Sequence, residues 1–254
     1  MTTRVGLIVP SSNTTIETEV PHMLRRHGEV TGERFTFHSS RAQLHQVDAE
    51  SLDRMVADSD RCARELSDAR VDALVYACLV AIMVRGHGAH ESSEQHLAEV
   101  AAANGGAAPV VSSAGALIGA MEALGLQRVA IITPYLPELT AAVAGYIESY
   151  GITVTDAVSL GVADNVEVAG ISEARLVEHA RRLDTTAADG VVLSCCVQMP
   201  SLSAIAPVEA ELGIPILSAA TATVYQLLRA LDRPPVVPGA GRLLSGEPVG
   251  AGGG

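Results

Sequence analysis

Arg4-Val5-Gly6-Leu7-Ile8-Val9-Pro10 comes back later in the chain as Arg128-Val129-Ala130-Ile131-Ile132-Thr133-Pro134. Each stretch opens on arginine, continues as an almost unbroken apolar run and closes on proline. Short apolar runs without alternation read as strands buried on both faces of a parallel sheet. A second echo lies downstream of each, with Asp72-Ala73-Leu74-Val75 matched by Asp189-Gly190-Val191-Val192. Cysteine follows in both places, as Cys78 and as Cys195-Cys196. Any two buried strands look somewhat alike, but the shared order of strand, proline turn and cysteine strand points to two related halves.

Outward from these repeats, strands and helices alternate. In the first half, strands at Arg4–Val9, Arg34–Ser39, Ala73–Cys78 and Pro109–Ser112 alternate with helices at Thr14–Arg26, Glu50–Asp68, His90–Asn104 and Ser113–Leu124. In the second, strands at Arg128–Thr133, Thr153–Leu160, Gly190–Cys195 and Ile214–Ser218 alternate with helices at Pro137–Tyr150, Ser172–Leu183, Pro200–Leu212 and Thr221–Leu231. Such βα alternation implies parallel sheets with right-handed crossovers. The expected fold is α/β, two similar lobes related by a pseudo-twofold, each a parallel sheet flanked by helices. With the last helix returning to the first half, residues 1–112 plus 218–254 make the first lobe, which carries Cys78, and residues 113–217 the second, which carries Cys196. The tail from Pro234 through the final glycines reads as irregular and partly mobile.

Composition narrows the function. The 254 residues are 48% hydrophobic but only 3% aromatic, with no tryptophan, so the core is built from Ala, Val, Leu and Ile. A net charge of −12 disfavours nucleic acid, which demands a basic footprint, but allows a small anion held by local donors. No apolar stretch reaches the roughly 18–20 residues of a membrane span, and the first residues lack the layout of a signal peptide. Four cysteines are too few for a disulfide scaffold, and adjacent Cys195 and Cys196 would bridge only under strain. Reduced thiols in the cytoplasm are the expectation.

Those thiols are the chemical signal. Side chains at the carboxyl end of a strand in an open α/β sheet face the ligand crevice, so two such cysteines can meet across one pocket. A thiol pair supplies a nucleophile and a proton donor with no metal or organic cofactor. Buried cysteine is also ordinary core material. What singles out Cys78 is Leu79-Val80-Ala81 after it, where free backbone N–H groups gather at a helix or loop start and can lower a thiol pKa or hold a carboxylate. On a regular strand Cys195 and Cys196 cannot both face the pocket, and spacing does not choose between them. Cys62, on a helix among Arg61, Arg64 and Glu65, reads as structural.

Ala77-Cys78-Leu79-Val80-Ala81 and Cys196-Val197-Gln198-Met199-Pro200 resemble the two cysteine motifs of the aspartate/glutamate racemase superfamily, which in glutamate racemases read Ala-Cys-Asn-Thr-Ala and Cys-Thr-His-Tyr-Pro. The shared proline places the second catalytic position on Cys196. Within the superfamily the chain is most similar to the maleate cis–trans isomerases. That likeness rests on Gly6-Leu7-Ile8-Val9-Pro10-Ser11-Ser12-Asn13-Thr14-Thr15, Tyr76-Ala77-Cys78-Leu79-Val80-Ala81-Ile82-Met83 and Cys196-Val197-Gln198-Met199-Pro200-Ser201. It spans almost the whole chain. Where the racemases carry polar residues that hold an ammonium group, this chain has Leu79, Val80 and Val197, so the expected substrate lacks an amino group.

The resemblance implies a homodimeric, cofactor-independent isomerase that turns maleate into fumarate through a succinyl-cysteine intermediate. Cys78 is the nucleophile and Cys196 the proton-transfer partner. Asn13, Leu79, Val80, Tyr135, Asn165 and Val197 form the expected dicarboxylate site. From local sequence alone Asn13 is a helix cap, Tyr135 a packing residue and Asn165 a turn residue. Related alternatives are a racemase or an arylmalonate-type decarboxylase, the latter resembling enzymes with one catalytic cysteine. A more distant one is a dicarboxylate-binding protein without catalysis. The loop Val84-Arg85-Gly86-His87-Gly88-Ala89-His90 reads as a lid on glycine hinges. His87, His90, Glu94 and His96 follow no recognised zinc spacing, so no metal is expected. No nucleotide-binding glycine loop is present.

Overall fold

The computed structural model describes residues 2–247, so the final glycines lie outside the described part. Strands β1 (Thr2–Pro10), β2 (Arg34–Ala42), β3 (Ala73–Tyr76) and β4 (Val110–Ser112) form one parallel sheet in the order β2-β1-β3-β4. Strands β5 (Arg128–Thr133), β6 (Thr153–Ser159), β7 (Gly190–Ser194) and β8 (Ile216–Ser218) form another in the order β6-β5-β7-β8. The order is the same in both halves, and the repeated stretches occupy the same interior strands. The repeat also explains its polar letters. Arg4 N donates to the Asp72 carboxylate at 2.7 Å, and Arg128 N donates to Asp189 at 3.1 Å. The aspartate that opens the third strand of each half thus pins the start of the first.

Helices α1 (Ile16–Thr31), α2 (Ala49–Asp68), α3 (Leu79–Met83), α4 (Ala89–Ala103) and α5 (Ser113–Ala123) accompany the first sheet in the chain. Helices α6 (Pro137–Glu148), α7 (Asn165–Ala169), α8 (Glu173–Ala180), α9 (Leu202–Leu212) and α10 (Ala219–Ala230) accompany the second. The final helix, α10, packs on α5, α1, β3 and β4. Side chains fix where helices begin: Asp48 caps the start of α2, Ser112 that of α5, and Ser218 with Thr221 forms a reciprocal capping box at the start of α10. Strands β3 and β7 are buried throughout, and a single contiguous core of Ala, Val, Leu and Ile runs through both halves.

Three expectations change. Strands β3 and β7 end at Tyr76 and Ser194, so Cys78 and Cys196 stand beyond the sheet in the turns that leave it. Helices α3 and α7, five residues each, arise where the sequence suggested a helix start and a turn. The tail is irregular as far as Glu247, yet it is packed rather than loose. Val237, Ala240, Leu243 and Leu244 are buried, and Val236 pairs with Ser245. Four apolar side chains in the core hold that segment, two of them on a single 3₁₀ turn at Arg242–Leu244.

Candidate active site

Both sheets send their carboxyl ends toward one tight cavity of about 20 Å³. It is lined by Cys78, Leu79 and Val80 from the end of β3 and the start of α3, and by Cys196, Val197 and Gln198 from the turn after β7. Asn13 joins from the β1–α1 turn, Tyr135 from the β5–α6 turn and Asn165 from the start of α7. All eight side chains singled out from sequence therefore meet at this cavity. Cys195 is fully buried and does not line it. Cys62 is buried elsewhere in the core.

The cysteines are placed by a break in the strands. At Cys78 the backbone turns (φ −140°, ψ 89°) and α3 begins at the next residue. The first N–H groups of a helix have no partner inside it. Those of Leu79 and Val80, and that of Val197 on the other side, have no hydrogen-bond partner among the described residues. Two apolar side chains and their neighbour thus bring backbone donors, not side-chain donors, to the cavity.

Burial dominates the thiols. It pushes the Cys78 thiol up to about 12, although the Ala81 N–H lowers it, and Cys196 raises it further. Cys196 is also raised by burial, against the Tyr135 hydroxyl and the Gln198 and Met199 N–H groups, which favour its thiolate. The Gln198 N–H stands 3.4 Å from Cys196 Sγ. Tyr135 Oη donates to the Cys195 carbonyl at 3.3 Å and is itself raised well above the ordinary tyrosine range by burial. Of the two sulfurs, only that of Cys196 has an N–H within hydrogen-bond distance among the described residues, so the two thiols stand in unequal surroundings.

The amides come next. Asn13 Oδ1 accepts from the N–H groups of Thr15 and Ile16 at 3.0 and 3.1 Å, capping α1. Its amide nitrogen has no hydrogen-bond partner among the described residues. Helix capping leaves that nitrogen available, so one side chain can cap α1 and still present a donor to the cavity. Asn165 donates to Ser12 Oγ at 2.8 Å, across the seam between the halves.

Pro10, Ala77 and Gln198, inside the sequence motifs, also line the cavity. Sequence reasoning missed Leu44 and Val47, which come to it from far away in the chain. The segment between β2 and α2, which carries Leu44 and Val47, reaches the second half through a pairing of Gln46 with Asp164. The glycine-bearing loop at residues 84–90 does not line the cavity. Gly86 and Gly88 do adopt positive φ, but His87 stacks on Tyr150 with ring centroids 4.5 Å apart, and His90 bonds to Tyr146 at 2.7 Å. The loop is fastened to the end of α6 and the segment after it. Only the apolar character of Leu44 and Val47 in a polar loop could have marked the other segment. Among the described residues no group of three or more His, Cys, Asp or Glu side chains is placed to hold a metal ion.

Comparison with known proteins agrees with this geometry. The arylmalonate decarboxylase family model matches residues 5–244. A maleate isomerase of Geobacillus stearothermophilus is 56% identical over 245 residues, covering 96% of this chain and 98% of that protein. The crystal structure of a maleate isomerase from Pseudomonas putida S16, a cysteine-to-alanine variant with maleate, superposes with a TM-score of 0.96 at 51% identity, covering 98% of this chain and 100% of that one. A Nocardia farcinica maleate cis–trans isomerase, in a cysteine-to-serine mutant with a covalently bound succinylcysteine intermediate, superposes with a TM-score of 0.94 at 48% identity, covering 97% and 100%.

Proposed function

This chain belongs to the arylmalonate decarboxylase family, and from that premise we propose that it is a maleate cis–trans isomerase working through two cysteines. The observation that carries the reading is the meeting of Cys78 and Cys196, one from each half, on a single cavity with amide and backbone donors around it. Rotation about a carbon–carbon double bond requires that the bond become single. The Cys78 thiolate adds its electron pair to one alkene carbon of maleate. The π pair moves to the neighbouring carbon and its carboxylate, and Cys196 gives that carbon its thiol proton. The product is a succinyl-thioether and a Cys196 thiolate.

The new single bond rotates. Cys196 takes a proton back from the same carbon, the double bond re-forms, and the carbon–sulfur pair returns to Cys78 as fumarate leaves. Charge that develops on the carboxylate in the transition state is what fixed donors stabilise best. The Asn13 and Asn165 amides, the Tyr135 hydroxyl and the N–H groups of Leu79, Val80 and Val197 are the donors assigned to it. The apolar side chains of Leu79, Val80 and Val197 offer nothing to an ammonium group, which favours a dicarboxylate without one. A decarboxylase like those the family model is named for would use one thiol, whereas this cavity has two.

The enzyme is further proposed to act as a homodimer in a reducing, cytoplasmic setting. Its four unbridged cysteines fit that compartment, and no described helix is long and apolar enough to cross a membrane. Light scattering should give twice the 26.3 kDa chain mass. The decisive experiment follows maleate by proton NMR. Fumarate should accumulate with the wild type, and Cys78→Ala and Cys196→Ala should each lose at least about a thousandfold in kcat, as removal of a covalent or proton-transfer group typically costs. Near-normal turnover by either variant overturns the two-thiol mechanism.

A further inference from the structure

We infer that Gln198 is the positioning residue that holds the two carboxylate-binding asparagines in register with each other and with Cys196, a role that rests on the isomerase reading. Gln198 lines the cavity and is 1% exposed. Its Oε1 accepts from Thr14 N at 2.9 Å and from Thr15 N at 3.2 Å. Its Nε2 donates to Ser12 O at 3.0 Å and to Asn165 O at 2.8 Å. A glutamine amide has two acceptor positions and two donors, so all four are used on backbone groups. Nothing remains with which to hold substrate. Gln198 therefore works through other residues.

Those residues are specific. Ser12, Thr14 and Thr15 flank Asn13 on both sides, so one side chain brackets the turn that presents it. The carbonyl accepting from Gln198 on the other side is that of Asn165 itself, and the Gln198 backbone N–H points at Cys196 Sγ. Three residues assigned to catalysis, from both halves of the molecule, are thus fixed by one residue. The Asn165–Ser12 bond closes the same ring. Misplacing a donor by an ångström is enough to cost about a hundredfold in rate, so a buried clamp of this kind sets activity without touching the reacting atoms.

Two variants test it. Gln198→Glu keeps shape and the acceptor toward Thr14 and Thr15 but, ionised, offers no donor to Ser12 and Asn165. Gln198→Met removes all four bonds at similar volume. Both should lower kcat/KM for maleate about 10- to 100-fold and weaken binding of succinate, an unreactive dicarboxylate, about tenfold or more. Alkylation of Cys78 by neutral iodoacetamide should stay within about twofold of wild type, because that reagent does not use the amides. In an Asn165→Ala background the loss caused by Gln198→Met should shrink at least about threefold, as expected of residues acting together. Unchanged succinate binding, alkylation that rises in step with the loss of activity, or full additivity with Asn165→Ala each overturn the proposal. A wild type that does not isomerise maleate overturns the functional reading and this one with it. A wild type that does, with unaffected variants, overturns this one alone.

Discussion

The nucleophile role proposed for Cys78 demands a thiolate, and its surroundings oppose one. Burial raises its pKa, the neighbouring Cys196 raises it further, and the Ala81 N–H compensates only in part. A group raised in this way is protonated at neutral pH, and its thiolate fraction grows about tenfold per pH unit until the pKa is reached. Expected, then, is a kcat/KM for maleate that climbs with unit slope from pH 6 to 8 and is still rising at pH 9. Iodoacetamide labelling of Cys78 should show the same profile. A plateau below pH 8 in both would mean that backbone donors outweigh burial. At this scale the two cysteine motifs are short, local patterns, whereas Asn13, Tyr135 and Asn165 read locally as cap, packing and turn residues and were drawn to the site only by the family resemblance. The role of Gln198 was not legible, because its partners are Ser12, Thr14 and Thr15 in the other half. A residue whose role is to bond backbone groups far along the chain leaves no periodic trace.

At the level of elements, the turn that carries Cys196 leads into α9, and the start of that helix is held from the other half. Glu19 on α1 is 8% exposed, and its Oε1 accepts from Ser201 N at 2.7 Å and Leu202 N at 2.8 Å. Burial raises its pKa, against the bonds from Ser201 and Leu202. With a folded value above the unfolded one, Glu19 contributes most below its ordinary pKa of 4.5, and that part is lost as pH rises through the folded value. Both backbone bonds go to one oxygen, so Glu19→Gln can keep them with its carbonyl while shedding the cost of a buried charge. Urea unfolding at pH 7 should show Glu19→Gln as stable as the wild type or more so. Glu19→Ala, which strands two buried N–H groups, should lose about 2 kcal/mol. Equal losses in both would show that the charge, not the acceptor, is what α9 requires. This contact too was invisible in sequence, as was α7, and α3 showed only as a helix or loop start. Five residues cannot display a helical period, and Leu79–Met83 is buried on every side. Longer elements were read closely because periodicity and caps agreed over several turns, with α2 running Ala49–Asp68 against an expected Glu50–Asp68.

For the whole molecule, the question is whether two similar halves behave as two units. Each has its own four-stranded sheet, yet the apolar core is continuous between them. The seam also carries the Gln198 clamp, the Asn165–Ser12 bond, the Glu19 contact to α9 and the Gln46–Asp164 pairing. Independent unfolding would have to expose that shared apolar surface and strand those polar groups in the half that remained folded. The chain supplies its own reporters, because Cys62 lies in the first sequence repeat and Cys195 in the second, both fully buried and neither lining the cavity. Pulsed alkylation in increasing urea, read by mass spectrometry, should label both at the same midpoint and together with the loss of helical circular dichroism. Succinate bound at the seam should shift both midpoints upward equally, since it stabilises only the state in which the halves meet, by about 2.7 kcal/mol at a hundredfold excess over its Kd. Labelling of Cys195 at distinctly lower urea than Cys62, or a succinate shift confined to one of them, would show that the halves unfold separately and that the cavity belongs energetically to only one.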